Sequence, residues 1–415
     1  MEGSAHAGDG PQLSGRDTIN VSTIKRPVAG LLVPMMIRDG GHHQHGSTGI
    51  PYGGNPCCPD RYGLSLLRSL IPFSHSNREP AMTALTNRQF LLARRPVGAA
   101  SREDFTFQTV PVAELAPGQI MVKSEYLSLD PAMRGWMNEG KSYIAPVELG
   151  AVMRALGAGK VIESQHPKFA VGDYVQGVLG VQDYFVGEPK GFNKVDPNLV
   201  PLPVYLAALG MTGMSAYFAL LEVGQPKAGD TVVISGAAGA VGSIAGQIAK
   251  IKGCRVIGIA GGKEKCQTLI DEFGFDGAID YKNEDIHAAL KRECPKGVDV
   301  YFDNVGGDIL DAVLTRLALK ARVVICGAIS QYNNKEAVKG PANYLSLLVN
   351  RARMEGFVVM DHAENFAKAG MEMAGWLAQG KLKSKEHIVD GLETFPETLQ
   401  MLFKGENSGK LILKV

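Results

Sequence analysis

ISGAAGAVGS, residues 234–243, sets Gly236, Gly239 and Gly242 at a spacing of three. The apolar run DTVVIS leads into it, and VGSIAGQIAKIKG follows with helical spacing. The stretch therefore predicts a strand, a tight turn, and a helix that starts near Val241. The first backbone N–H groups of a helix are unpaired and carry partial positive charge, so such a turn is a ready seat for a phosphate. Against the dinucleotide template G-x-G-x-x-G the aligned piece is AAGAVG, with Ala237 at the first position. That match gains weight only from its surroundings.

Those surroundings repeat the pattern. CRVIGIA precedes KEKCQTLIDEFG, VDVYFDNV precedes GDILDAVLTRLA, and ARVVICGA follows. Short apolar strands alternating with helical stretches predict right-handed crossovers, a parallel sheet and dinucleotide binding. Which dinucleotide is decided at the second strand. An NAD site carries an acid there, about 20 residues past the glycines, for the ribose 2′-hydroxyl. Here the strand ends in Ala260-Gly261-Gly262, and Lys263 and Lys265 follow with Glu264 between them. A missing acid and nearby ammonium groups favour a 2′-phosphate, hence NADPH over NADH.

Working outward, residues 82–206 read as short strands with turns: FTFQTVPV, QIMVKSEYLSL, AGKVIESQ and DYVQGVL. In PKFAVGDYV, Gly172 and Asp173 reverse the chain before a strand. Beyond about residue 380 the alternating rhythm stops. LETFPETLQMLFKG reads as a helix and KLILKV as a last strand returning to the first region. The expected fold class is α/β: a Rossmann-type doubly wound parallel sheet over residues 207–376, plus an antiparallel β-rich domain over 82–206, completed by 377–415, which resembles a GroES-like substrate domain. Residues 1–81 hold 12 Gly and 8 Pro and keep no period, which predicts a disordered extension. His42, His43 and His45 lie there without a companion ligand set, and the functional protein is expected to begin near Met82.

Composition narrows the class. The 415 residues suffice for two domains, with 45% apolar and 20% charged residues. A formal net charge of +1 recruits neither nucleic acid nor an anionic membrane, and no apolar run reaches the roughly 20 residues of a membrane span. Cys57 and Cys58 are adjacent, while Cys254, Cys266, Cys294 and Cys326 are scattered and form no C-x-x-C. Reduced thiols in a cytoplasmic protein fit that usage. Between Met82 and Leu206 there is no cysteine, and His166 is the one histidine. A zinc site of the alcohol dehydrogenase kind lacks its ligands, so no metal is expected.

AAGAVG, GGKEKC, IDYK, DNVGG, CGAISQYN, GFVV and KGENSGK, in this order and spacing, resemble the zinc-independent medium-chain reductases. YLSLDPAMRGWM and GMTGMSAYF fit as well. The subgroup resembled is that of prostaglandin reductase, leukotriene B4 12-hydroxydehydrogenase and curcumin reductase, over about residues 84–415. The resemblance implies NADPH-dependent reduction of the C=C bond of α,β-unsaturated ketones and aldehydes by a homodimer. It assigns Gly239, Ala240, Val241 and Gly242 to the pyrophosphate, and Lys265 and Tyr281 to the 2′-phosphate. Asn304 would touch the cofactor. Cys326, Gly327, Ala328, Ile329 and Ser330, with Phe357, Val358 and Val359, would line the nicotinamide, and Asn407 would close the site. Family members commonly place Tyr after the Asp-Pro of the first loop, where this chain has Ala132. That difference predicts a substrate pocket of another shape.

The mechanism these residues suggest is hydride transfer to the β-carbon, with the enolate oxygen stabilised by a hydrogen-bond donor. Tyr332 is the candidate donor; its alternative role is packing against the cofactor. Tyr126, Arg134 and Tyr143 are further candidates for the pocket wall, Arg134 alternatively serving in a structural ion pair. Two rival functions stand beside this one: a quinone reductase of the same fold, and a non-catalytic NADPH-binding protein.

Overall fold

The computed structural model describes residues 85–415; the extension read at residues 1–81 and its histidines lie outside them. Alternating TNRQFLL and FTFQTVP form the antiparallel pair β1 (Thr86–Leu92) and β2 (Phe105–Pro111), with Phe90 opposite Phe107. Next come β3 (Ile120–Ser128), β4 (Leu156–Ser164), β5 (Tyr174–Val178), β6 (Tyr184–Gly187) and β7 (Asn193–Val195). Gly172 turns the chain into β5 with φ +97°, where a glycine is at ease.

The alternating half supplies β8 (Thr231–Ser235), β9 (Arg255–Ala260), β10 (Gly277–Asp280), β11 (Val298–Asp303), β12 (Leu317–Ile325) and β13 (Arg353–Gly356). They make one parallel sheet in the order β10-β9-β8-β11-β12-β13. Val232, Val233 and Ile234 are wholly buried, as expected of a strand covered on both faces. The chain winds outward from β8 to β10, then returns to β11 on the other side of β8. That reversal opens a crevice at the carboxyl ends of β8 and β11, the usual ligand site of a doubly wound sheet.

The last strands, β14 (Glu386–Asp390) and β15 (Lys410–Lys414), join the β-rich sheet, whose order is β14-β15-β3-β4-β5-β7 with β6 also paired to β3. Phe395 packs its ring on Phe90 and Phe105, 5.3 and 5.1 Å between centroids. LETFPETLQMLFKG is not one helix. A 3-10 turn, Leu392–Thr394, comes first, and the α-helix runs Phe395–Lys404. Proline has no N–H, so Pro396 is tolerated only in a helix's first turn, and it marks the break.

Candidate active site

The helix after β8 spans Ala240–Ile251, and Gly239 caps it in extended geometry. No side chain caps this end, and among the described residues nothing accepts from the amides of Val241 or Gly242. A Cβ on Gly242 would stand 2.5 Å from the Gly236 carbonyl and 2.8 Å from Ala237 Cα, so only glycine lets helix and turn meet. A Cβ on Gly239 would meet a single protein atom, at 3.2 Å. What its bareness leaves is open space outside the turn. The Gly409 N–H donates to the Ala238 carbonyl at 2.8 Å, and Asn407 Nδ2 donates to the Gly409 carbonyl at 2.9 Å. The 405–409 segment therefore runs along the glycine turn and carries Asn407 beside it.

At the end of β9 the backbone turns through Gly261 and Gly262. A Cβ on Gly261 would lie within 3.0 Å of Lys282 Cε and of the Tyr281 hydroxyl. Lys282, Tyr281 and Lys265 thus gather at one rim of the crevice. Lys265 is half-buried and donates from Nζ to the Gly405 carbonyl at 2.6 Å. Burial, and secondarily the charge of Lys282, hold its ammonium below the usual lysine range. The nearby acid Asp280 accepts from the amides of Gly262 and Lys282 and from Asn283. Its partial burial acts to raise the carboxyl, but these hydrogen bonds and Lys282 prevail and keep it below the ordinary range. Lys282 was legible in IDYK and is absent from the residues singled out by sequence; the neighbourhood of two strand ends is what adds it.

Between the carboxyl ends of β8 and β11 lies a fully buried carboxylate, Asp303. Its Oδ1 accepts from Ser235 Oγ and the Tyr301 hydroxyl, both at 2.8 Å, and from the amides of Val305 and Gly306, both at 3.0 Å. Asn304 donates from its backbone to Ser235 Oγ at 2.9 Å and from Nδ2 to the Ser235 carbonyl at 2.8 Å. The Asp303 carbonyl accepts from Cys326 and Gly327, the Asn304 carbonyl from Ile329, and the Val305 carbonyl from Ser330. One lattice of hydrogen bonds thereby joins the loop after β11 to the loop after β12.

Tyr332 closes this second loop. Its hydroxyl accepts from the Ala328 amide at 3.1 Å, and a Cβ on Gly327 would sit 3.3 Å from it. Nothing among the described residues accepts the phenolic proton. Burial, chiefly, raises the phenol above the usual tyrosine range, against the lowering effect of the Ala328 amide. Phe357 donates from its amide to the Ile325 carbonyl at 3.1 Å and leads through Val358 into the 3-10 turn Val359–Asn365. Its ring stacks on His362, centroids 5.4 Å apart, and His362 stacks in turn on Phe218 at 5.0 Å. Phe357 and Val359 both pack against the core under the sheet.

One wall candidate, Arg134, is engaged elsewhere. Arg134 is buried and donates to the carbonyls of Pro96 and Gly98 and to Asn138 Oδ1. It is structural, but as a binder of carbonyl groups, with no carboxylate partner among the described residues. Tyr126 packs against the cluster around Ala158 and Ile412. Tyr143 is largely exposed and lies in the neighbourhood of Tyr332. Ala132 opens the short helix Ala132–Trp136. All four described cysteines are free; burial pushes Cys254, Cys266 and Cys294 up to about 11 and Cys326 up to about 12. No group of three or more His, Cys, Asp or Glu among the described residues could hold a metal ion.

Known proteins are similar to this chain in sequence and fold. A family described as an N-terminal domain of oxidoreductase matches residues 88–195, and one described as a zinc-binding dehydrogenase matches 240–374. An NADPH-dependent curcumin reductase of Escherichia coli (strain K12) is 41% identical, across 79% of this chain and 97% of its own. An NADP(+)-dependent 2-alkenal reductase of Nicotiana tabacum is 42% identical, across 80% and 98%. The solved structure of CurA from Vibrio vulnificus in complex with NADPH superposes with a TM-score of 0.75 at 42% identity, across 79% and 99%. Sharing two fifths of its residues with such reductases along nearly their whole length, the chain belongs to their family, the zinc-independent, NADP-dependent medium-chain oxidoreductases.

Proposed function

We propose that this protein uses NADPH to reduce the C=C bond of α,β-unsaturated ketones and aldehydes. The observation that carries the reading is Tyr332: a half-buried phenol, fixed by the Ala328 amide, whose own proton no described residue accepts. When bound, NADPH supplies the hydride that the substrate's β-carbon receives. The amides of Val241 and Gly242 hold the pyrophosphate, with Gly239 leaving room and Asn407 alongside. Lys265, Lys282 and Tyr281 receive the 2′-phosphate, and no carboxylate stands at residues 260–262 to repel it. Asn304, Cys326–Ser330 and Phe357–Val359 form the wall beside the reacting centre.

Tyr332 remains protonated at neutral pH because its folded value lies above that of a free phenol. It therefore donates to the carbonyl oxygen as negative charge gathers there, which is where a donor lowers the barrier. The α-carbon then takes its proton from water or from Tyr332. Following NADPH absorbance across an acceptor panel tests the reading. A 2-alkenal or enone should be turned over much faster than a naphthoquinone. Faster quinone turnover would make the protein a quinone reductase, and NADPH binding without any acceptor would make it a non-catalytic binder.

The working assembly we infer is a homodimer. Strand β13 is the open edge of the parallel sheet, and near it Leu345, Leu348 and Val349 are 57%, 75% and 69% exposed. A second copy of this edge would cover them. Residues 82–206 with 377–415 serve as the substrate domain and 207–376 as the nucleotide domain. Among the described residues no helix is long and apolar enough to cross a membrane. Free thiols fit a cytoplasmic setting, and the ligands are small molecules.

A further inference from the structure

The geometry points to Asp303 as an electrostatic element of hydride donation: a buried, unneutralised carboxylate that favours the oxidised, cationic nicotinamide over the reduced, neutral one. The inference rests on the cofactor placement proposed above. Four observations carry it. Asp303 is completely buried at the switch point of the parallel sheet. Every group that touches its carboxylate is a donor: Ser235 Oγ, the Tyr301 hydroxyl, and the amides of Val305 and Gly306, the last reaching Oδ2 as well, at 3.2 Å. The amides of Val305 and Gly306 can only donate, so the surroundings are those that hold a carboxylate. Among the described residues no lysine or arginine forms an ion pair with it, unlike Asp130 with Lys410 or Asp230 with Arg322.

The field of this charge falls on the proposed nicotinamide wall. Asp303 and that wall are one hydrogen-bonded unit, since its carbonyl holds the amides of Cys326 and Gly327. The same charge contributes to raising both the Cys326 thiol and the Tyr332 phenol. In the reaction the C4–H bond of the dihydronicotinamide breaks and a hydride, two electrons with one proton, forms the new C–H bond at the β-carbon. The ring passes from neutral to a charge of +1, and the enolate carries −1 until a proton reaches the α-carbon. A fixed negative charge near the ring stabilises the first of these changes and needs no movement to do so. Donors without charge would position the loop equally well but would not distinguish the two redox forms.

That difference is the test. Dissociation constants of NADP+ and NADPH are measured by calorimetry on the full chain. Asp303→Asn keeps the shape and an acceptor oxygen but removes the charge. NADP+ should weaken about tenfold more than NADPH, the factor a unit charge exerts on another at about 10 Å inside a protein. Tenfold corresponds to about 30 mV in the bound couple. Equal weakening of both nucleotides would overturn the proposal and leave Asp303 as a positioning residue. Tyr301→Phe removes one donor and keeps the charge. Its ratio should stay within about twofold or move toward NADP+, and a shift toward NADPH would overturn the proposal even if Asp303→Asn failed to fold. Failure of the unaltered protein to bind either nucleotide would strike at the proposed function instead.

Discussion

Tyr332 has its hydroxyl fixed on one side by a backbone amide and open on the other. Tyr332→Phe should lower kcat on an enone about a hundredfold, the usual effect of losing one donor to a developing oxyanion, while the Kd for NADPH stays within about twofold. Steady-state kinetics with parallel calorimetry separates the two. Lys265 makes a different kind of demand. Its proton is held less tightly in the folded chain than in the unfolded one. The charged side chain therefore costs stability at neutral pH, and that cost fades as pH rises through the folded value toward the unfolded one. Lys265→Met should raise the melting temperature of the nucleotide-free protein at pH 7. The same change should lose about tenfold or more in NADPH affinity and leave NADH nearly untouched, as expected on losing a charge-assisted contact.

At the scale of elements, strand β15 is tied in place by a group from far along the chain. Lys410 is buried, and its Nζ donates to Asp130 Oδ1 at 2.9 Å and to the Leu129 carbonyl at 2.6 Å. Removing one member of a buried pair leaves the other unpaired, at a typical cost of about 3–5 kcal/mol. Lys410→Met should therefore shift urea unfolding to markedly lower concentration, and adding Asp130→Leu should recover part of the loss. This tie shows what sequence does and does not reveal. The strands from DTVVIS to ARVVICGA are legible because burial on both faces demands continuous apolar runs. The glycine turn is legible because one local geometry needs one residue type. The partnership of Lys410 with Asp130 spans 280 positions, and the four donors around Asp303 come from two different strands and a loop. No local pattern encodes such meetings. Arg134 is a related case: an arginine in a helix signals charge, whereas its partners here are backbone carbonyls of a distant loop.

For the molecule as a whole, all three sheets of the described residues and every site residue named above lie within residues 86–415. A chain lacking residues 1–81 should retain kcat and KM for an enone within about threefold, checked by steady-state assay. Leu348→Lys with Val349→Lys, on the exposed face beside β13, should convert a dimer to a monomer in analytical ultracentrifugation. The raised thiols carry a consequence of their own. Electron-poor alkenes alkylate thiolates, so a catalyst that gathers them risks poisoning itself. With ionisation near 11 or 12, no more than about one in ten thousand of Cys254, Cys266, Cys294 or Cys326 is a thiolate at pH 7. Built this way, the interior is inert toward the very electrophiles it is proposed to consume.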